Sequence, residues 1–387
     1  MKAILTFGSL ILICLLSIIT GCGSSNGPHF GSPIGPFLFM VGQSSDNLFA
    51  FRGSNSGTIS GLTSAPTGHA PSAVVMESFS IDQMNLVVAD SASNNLAVFA
   101  LDPSTGAVTP SGISATVGSN PIAIGLRQPS GSSAPNTPVD RGALFVLNQG
   151  SNSISGFHVT DVSGHMTEVP GSPFATQSNP QAIAVVTGGT SASTIATFVY
   201  VANGALGTIS GFKVNSDDSL TELAGSPFAV GTNISALASR LGGVILLASD
   251  SGANKVLGFK IANDGTLTAL PGATVAAGSQ PGALTFVIND IVYVANRGSN
   301  NVSGYKFDFA GSTLTPISGS PFAAGTTPVA LGIARPLQLY VANQGSSDIS
   351  GFNIDQNTGG LTPIAGSPFH APAPPSAMQT LFVMNVD

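Results

Sequence analysis

A short block that recurs along the chain restricts its fold more than any other feature. The clearest copy, residues 340–352, reads YVANQGSSDISGF. Seven copies end in an aromatic residue, and they lie 46 to 58 residues apart, at Phe51, Phe99, Phe157, Phe212, Phe259, Tyr305 and Phe352. Nine positions before each aromatic stands a small, amide or acidic residue: Gly42, Asp90, Asn148, Asn203, Asp250, Asn296 and Asn343. This period fits four short strands with their turns, so the sequence predicts an all-β chain, a seven-bladed β-propeller of four-stranded antiparallel blades.

Each copy divides into four predicted strands. Strand one follows a proline, strand two is the Tyr-Val-Ala-Asn run, and strand three is the Ile-Ser-Gly-Phe run, which alternates with period two. Strand four is typified by Leu-Thr-Pro-Ile at residues 361–364 and is followed by Gly-Ser-Pro-Phe. That tetrapeptide begins at Gly171, Gly225, Gly319 and Gly366. Proline here indicates an outer edge strand, because an edge strand need not donate a hydrogen bond on its open side.

The two ends of the repeat array predict how the ring closes. The N-terminal copy starts directly with a strand-two pattern, and the C-terminus carries one extra apolar segment, residues 381–386. We expect that segment to supply strand one of the first blade; the alternative is a separate C-terminal strand. Two copies are longer because of insertions at residues 128–140 and 187–197, which we interpret as surface loops on the face opposite the ligand funnel.

The first 36 residues predict an export signal, a lipid anchor and a tether. Lys2 precedes a largely apolar segment that ends in Ile-Thr-Gly-Cys at residues 19–22, and this ending resembles the bacterial lipobox. The resemblance implies a signal peptide over residues 1–21, acylation of Cys22 and anchoring in a membrane through the acyl chains. The alternative is an ordinary secretory signal. Residues 22–36 read as a Gly/Ser/Pro-rich tether before a propeller at 37–387, and Gly23 favours the outer membrane within a periplasmic or cell-surface location.

Composition excludes several classes of function. A net charge of −7 with only 11 Lys and Arg argues against nucleic acid, because phosphate binding needs a basic surface. Cys14 lies in the signal and Cys22 is the predicted acylation site, so no cysteine chemistry is expected in the propeller. The five histidines are scattered and no metal or cofactor motif occurs. We expect a monomer without cofactor or metal.

From Phe37 to the end, about 350 residues, the copies resemble the YVTN-type repeats of seven-bladed lactonase-like propellers, which include 6-phosphogluconolactonase. The resemblance implies the fold and, as one alternative, lactone hydrolysis. Active members of that family place Arg, His and Glu in the funnel. Here Glu168 and Glu222 fall on strand four and Glu77 at the far end of strand one, so no catalytic residue is carried over.

Residues that repeat in every blade are expected to be structural, and residues that break the repeat are candidates for a site. The aromatic residue of strand three predicts core, and the residue that ends strand two, for instance Asn148 or Asp250, predicts a cap on the turn backbone. The funnel face consists of the loops between strands two and three and those from strand four to the next strand one. Its candidate residues are His69, Arg297 and His370, with Asp46, Lys255 and Asp348 further along their loops.

The first hypothesis for function is a lipid-anchored envelope protein that binds a saccharide, a peptide or another envelope protein. The second is an extracytoplasmic lactonase, a carboxylic-ester hydrolase; His69 or His370, predicted neighbours, would activate water and Arg297 would stabilise the oxyanion. The third is an architectural role. A funnel lined by clustered His, Arg and Asp favours the enzyme, and one lined by Ser, Thr and Gln favours the other two.

Overall fold

The computed structural model describes residues 36–80, 83–128, 140–188, 196–240, 242–287, 290–334 and 337–381, so the predicted signal, Cys22 and most of the tether lie outside them. The strands of the first half are β1 (Phe37–Gly42), β2 (Asn47–Gly53), β3 (Ile59–Pro66), β4 (Pro71–Ser80), β5 (Gln83–Asp90), β6 (Asn95–Leu101), β7 (Val108–Thr116), β8 (Pro121–Arg127), β9 (Ala143–Asn148), β10 (Ser153–Val159), β11 (Met166–Glu168), β12 (Phe174–Ala175), β13 (Pro180–Gly188), β14 (Ala196–Asn203), β15 (Thr208–Val214), β16 (Leu220–Glu222) and β17 (Phe228–Ala229).

The second half continues with the same pattern. Its strands are β18 (Ile234–Ser239), β19 (Ile245–Asp250), β20 (Lys255–Ile261), β21 (Leu267–Ala269), β22 (Val275–Ala276), β23 (Pro281–Phe286), β24 (Ile291–Asn296), β25 (Asn301–Asp308), β26 (Thr313–Pro316), β27 (Phe322–Ala323), β28 (Pro328–Ala334), β29 (Gln338–Asn343), β30 (Asp348–Ile354), β31 (Leu361–Pro363), β32 (Phe369–His370) and β33 (Ala377–Leu381). Among the described residues, two loops contain a 3₁₀ turn, Gly204–Leu206 and Pro271–Ala273. Across the described ranges, no helix is long and apolar enough to cross a membrane.

The strands form seven antiparallel sheets, which confirms the predicted blades. Blade 1 has the order β3-β2-β1-β33, blade 2 has β4 to β7, and blades 3 to 7 each have four main strands plus a short fifth segment. The strand one of each blade contacts strand one of the next, in the cycle β33, β4, β8, β13, β18, β23, β28 and back to β33. These inner strands therefore surround a central channel.

The last strand closes the ring, as predicted. Phe37 lies opposite Leu381 and Val41 opposite Ala377 in the β1–β33 register. The strand starts at Ala377, four residues before the predicted start at residue 381. Ser376-Ala377 matches the Ser72-Ala73 pair near the start of strand one in blade 2, and this match sets the earlier start. Residues 382–386 lie outside the described part of the chain.

The tyrosine of the Tyr-Val-Ala-Asn run joins neighbouring blades. Its hydroxyl donates to the carbonyl oxygen of a glycine in the strand three–four turn of the next blade: Tyr200 to Gly265 (2.6 Å), Tyr293 to Gly359 (2.6 Å) and Tyr340 to Gly57 (2.7 Å). The third bond links blade 7 to blade 1 across the closure. Burial raises the pKa of each of these phenols, so they remain hydrogen-bond donors.

The core lies between blades. In strand two, alternate residues enter opposite interfaces: Phe39 and Val41 pack towards blade 2, and Leu38 and Met40 pack towards blade 7. Strand two is therefore buried on both faces and reads as a continuous apolar run. All seven strand-three aromatics are buried, as predicted.

The Gly-Ser-Pro-Phe tetrapeptide divides strand four into two short segments in four blades. In each, the serine hydroxyl accepts the backbone N–H of the strand-three glycine, with distances of 2.9 to 3.1 Å for Ser172, Ser226, Ser320 and Ser367. The side chain thus replaces the carbonyl that a continuous strand would supply, which explains why the two motifs recur together.

Candidate functional site

The residues that form the rim of the channel at the funnel face are uncharged. The second residue of each strand one, or its equivalent before β33, forms this rim: Ser72, Ile122, Gln181, Ser235, Gly282, Val329 and Ser376. The three serine hydroxyls each donate to the carbonyl oxygen of the proline that starts strand one of the next blade, at 2.6 to 2.7 Å. The rim itself therefore offers uncharged and largely committed groups.

Charged groups gather beside the rim at the junction of blades 1 and 2. His69 Nδ1 lies 2.8 Å from Asp46 Oδ2, and the two side chains are 80% and 42% exposed. His69 ends the loop that leads into β4, and Asp46 ends the turn between β1 and β2. The hydrogen bonds from Ala70 N–H and from His69 hold the pKa of Asp46 below its ordinary value, so it is a carboxylate.

Half of this arrangement is a structural repeat. An asparagine at the position of Asp46 accepts the backbone N–H before strand one of the next blade at four other junctions: Asn94, Asn152, Asn254 and Asn300. Asp46 Oδ1 makes the same bond with Ala70, at 2.8 Å. This junction differs from the others in two ways. Asp46 has a second carboxylate oxygen, Oδ2, which binds the imidazole, and His69 stands where five other junctions have Ser or Thr.

A third departure from the repeat lies beneath this pair. Asp90 ends β5, where four blades have asparagine, and it is fully buried. Neither of its carboxylate oxygens has a hydrogen-bond partner among the described residues. Burial raises the pKa of Asp90 to about 6, and the charge of Asp46 adds to the rise. The Gly68 backbone and the Thr67 side chain lower this pKa in part, although neither forms a hydrogen bond of good geometry with the carboxylate. We name His69, Asp46 and Asp90 the junction cluster.

The structure separates the other predicted site residues from this cluster. His370 lies in β32, on the outer edge of blade 7, opposite Asp348 in the β30 register, and no contact joins it to His69 in the described chain. Arg297 is exposed in the β24–β25 turn; a Cβ at Gly282 would come within 3.1 Å of its Cδ, so its side chain lies over the rim. Lys255 starts β20 in blade 5, outside the junction of blades 1 and 2.

The prediction that the residue ending strand two caps the turn holds for Asp250 and is wrong for the four asparagines. Asp250 Oδ1 accepts the N–H groups of Gly252 and Ala253 in the turn. In the four blades with asparagine the amide Nδ2 donates instead to strand-three side chains, as Asn148 does to Ser153 and Ser155. Asn203, Asn296 and Asn343 do the same. The carbonyl oxygens of all but Asn296 have no partner within the described residues.

The three glutamates lie where the sequence placed them. Glu168 and Glu222 accept hydrogen bonds from Ser172 and Ser226 on the outer strands. Glu77 lies in the far half of β4 and is buried, and burial raises its pKa to about 7. None of the three belongs to the funnel face. No group of three or more His, Cys, Asp or Glu in the described ranges is arranged to hold a metal ion.

Comparison with known proteins defines the class. A family model described as "Lactonase, 7-bladed beta-propeller" matches residues 288–377. The fold is similar to that of a candidate 6-phosphogluconolactonase from Bacteroides fragilis, with a TM-score of 0.71 and 18% identity over 92% of this chain and 100% of that chain. It is also similar to the periplasmic gluconolactonase PpgL of Pseudomonas aeruginosa, with a TM-score of 0.71 and 18% identity over 90% and 99%. No curated protein sequence matches.

The chain is therefore a seven-bladed β-propeller with the lactonase-like architecture. Its resemblance extends over nearly the whole length of these solved structures. Identities of this size establish the architecture, and an activity must be argued from the side chains at the site.

Proposed function

We propose that this propeller hydrolyses a lactone at its funnel face, with His69 as the general base. The observation that carries the proposal is the 2.8 Å contact between His69 Nδ1 and Asp46 Oδ2 on an imidazole that is 80% exposed. A carboxylate at Nδ1 stabilises the tautomer with the proton on that nitrogen, which leaves Nε2 able to accept a proton from water. The similarity in fold to a gluconolactonase supports the same reading.

The chemistry needs only water and the ester. Nε2 of His69 takes a proton as the water oxygen attacks the lactone carbonyl, and the imidazolium then returns that proton to the ring oxygen as the C–O bond breaks. The product is an open-chain hydroxy acid. Asp46 stabilises the imidazolium in the interval. Arg297 lies over the rim apart from this cluster, so it would bind a polar group of the substrate away from the reacting ester.

The test is hydrolysis of glucono-1,5-lactone by the purified chain, corrected for the spontaneous rate. We expect catalysis that falls by about 100-fold or more in His69→Ala, the usual contribution of a general base. His370→Ala is the matched control, since that histidine lies on an outer strand and should leave the rate unchanged. Failure to exceed the spontaneous rate, or full activity in His69→Ala, would refute the proposal.

A second candidate function is binding without catalysis. The uncharged rim favours it, because a glutamine, serine oxygens that can still accept hydrogen bonds, and the apolar Ile122 and Val329 suit a neutral saccharide or peptide segment. The same assay separates the two, since a binding protein would leave the lactone intact. In either case we propose that Cys22 anchors the propeller to the cell envelope; Cys22→Ser should release it from the membrane fraction, and unchanged partitioning would exclude the anchor.

A further inference from the structure

A second opening lies on the face opposite the funnel, between blades 3 and 4. It has a volume of about 950 Å³, within the range of small-molecule sites. Arg127 forms part of its floor and is the last residue of β8, a strand that starts at the funnel side. The opening is therefore far from the junction cluster, and the two sites are independent. We name it the rear cleft.

Two carboxylates hold the floor of the rear cleft in a fixed geometry. Arg127 donates through Nη1 and Nη2 to Asp140 at 2.9 and 2.8 Å, and through Nε and Nη2 to Asp218 at 2.6 and 2.9 Å. Burial lowers the pKa of Arg127, but these bonds outweigh it and the net shift is upward. His158 Nδ1 lies 3.0 Å from Asp218 Oδ2. Bidentate pairs on both sides of one guanidinium make this floor rigid.

Another blade junction shows what closes the equivalent space. Arg240 occupies the repeat position of Arg127, six residues after the start of strand one. Its Cζ lies 4.2 Å from the ring centroid of Phe309, and its Nε donates to Asp290 at 2.6 Å. In blade 4 the position of Phe309 is taken by Ser216, which lines the rear cleft. A small polar residue thus stands where blade 6 has an aromatic ring.

Positive charge is concentrated in the rear cleft. Arg127, Arg141 and Lys213 line it, although the whole chain has only 11 Lys and Arg and a net charge of −7. Among the residues that line the cleft, these three cations stand against the two carboxylates of Asp140 and Asp218, so the lining has one positive charge in excess even when His158 is neutral. Hydroxyl and amide groups complete the lining, from Thr160, Thr167, Asn215 and Ser216.

We propose that the rear cleft binds an acidic saccharide, a sugar that carries a carboxylate or a phosphate. The excess cation would pair with the acidic group, and the hydroxyl and amide side chains would bind the sugar hydroxyls. Lys213 is the residue to test, because it is exposed on β15 and forms no ion pair with any described residue. It occupies the same repeat position as His158, so the two side chains come from equivalent places on facing blades.

The experiment is calorimetric titration of the full chain with glucuronate, glucose 6-phosphate and glucose. We expect one or both acidic sugars to bind at least about tenfold more tightly than glucose, the value of one charge-assisted hydrogen bond. Whichever acid binds more tightly identifies carboxylate or phosphate as the preferred group. Equal affinity for glucose, or no binding of either acid, would overturn the proposal.

Three variants connect the binding to the rear cleft. Lys213→Ala should weaken binding of the acidic sugar by about tenfold. Ser216→Phe should abolish it by restoring the ring that blade 6 carries. Lys260→Ala is the matched control, because Lys260 has the repeat position of Lys213 in blade 5 and does not line the cleft. Unchanged affinity in both cleft variants, or an equal loss in Lys260→Ala, would contradict the assignment.

Discussion

Two aspartates at the same repeat position have opposite environments. Asp250 in blade 5 accepts the N–H groups of Thr232 and Asn233, the Thr232 hydroxyl and two turn N–H groups. Although burial alone would raise its pKa, these bonds leave it below the ordinary value. Asp90 in blade 2 is just as buried, lacks such partners in the described chain, and has a pKa raised to about 6.

The second residue before strand one accounts for part of the difference. In blade 5 it is Thr232, whose hydroxyl and amide both bind Asp250. In blade 2 it is His69, whose amide donates to Ser93 and whose imidazole turns to Asp46 on the neighbouring blade. The scaffold can therefore supply hydrogen-bond donors to a buried carboxylate at this position, and at the junction of blades 1 and 2 it does not. A buried carboxyl group without hydrogen-bond partners lowers the stability of the fold, and groups of this kind are concentrated at functional sites.

The largest effect on stability is expected at Asp250, the aspartate whose carboxylate has hydrogen-bond partners. Asp250→Asn replaces a carboxylate that accepts five hydrogen bonds with an amide whose NH₂ group opposes N–H donors. We expect a loss of about 3 kcal/mol in the free energy of unfolding, measured by urea denaturation at pH 7.5. A change of less than half that size would show that the five bonds contribute little, and the contrast with Asp90 would then disappear.

The matched substitution in blade 2 should have the opposite sign. Since the pKa of Asp90 is higher in the folded than in the unfolded chain, the folded protein binds more protons between about pH 4 and 6, and stability falls as pH rises through this window. Asp90→Asn removes the charged form and should stabilise the protein by about 2 kcal/mol at pH 7.5, with the gain vanishing below about pH 4. A gain that does not depend on pH would point to another cause.

A smaller effect is expected at the ring closure. Tyr340→Phe deletes the hydroxyl that bonds Gly57 between blades 7 and 1, and it should cost about 1 kcal/mol. The control is Tyr305→Phe, whose hydroxyl donates to the Ala276 carbonyl in the preceding blade without crossing the closure. If thermal unfolding shows equal losses for both, the closure is no more sensitive than any other junction.

The sequence predicted the ring because periodicity and apolar runs are local signals. Seven blades, the buried aromatics and the closing strand all follow from such patterns, and the earlier start of β33 was visible in the Pro-Ser-Ala pattern of residues 375–377. His69 was singled out because it breaks the repeat. Its partner depends on the left-handed backbone of Asp46, with φ of 51°, which directs the carboxylate across the junction.

Contacts between blades were the part that spacing did not reveal. Asp90 reads as one more member of a repeating Asn or Asp position, and only its surroundings show it to be unpartnered. Arg127 and Asp218 are 91 residues apart in sequence, so their pairing depends on how the blades stack. A usable signal did exist, since His158 stands at a repeat position that the next three blades fill with lysine: Lys213, Lys260 and Lys306.

The most direct test of the account restores the repeat at the junction of blades 1 and 2. The triple variant His69→Ser, Asp46→Asn, Asp90→Asn gives this junction the residues that are commonest at the others. We expect it to fold with stability equal to or greater than that of the unaltered chain, and to lose hydrolysis of glucono-1,5-lactone by about 100-fold or more. A triple variant that is markedly less stable, or that hydrolyses the lactone at the original rate, would contradict the claim that these three departures serve chemistry.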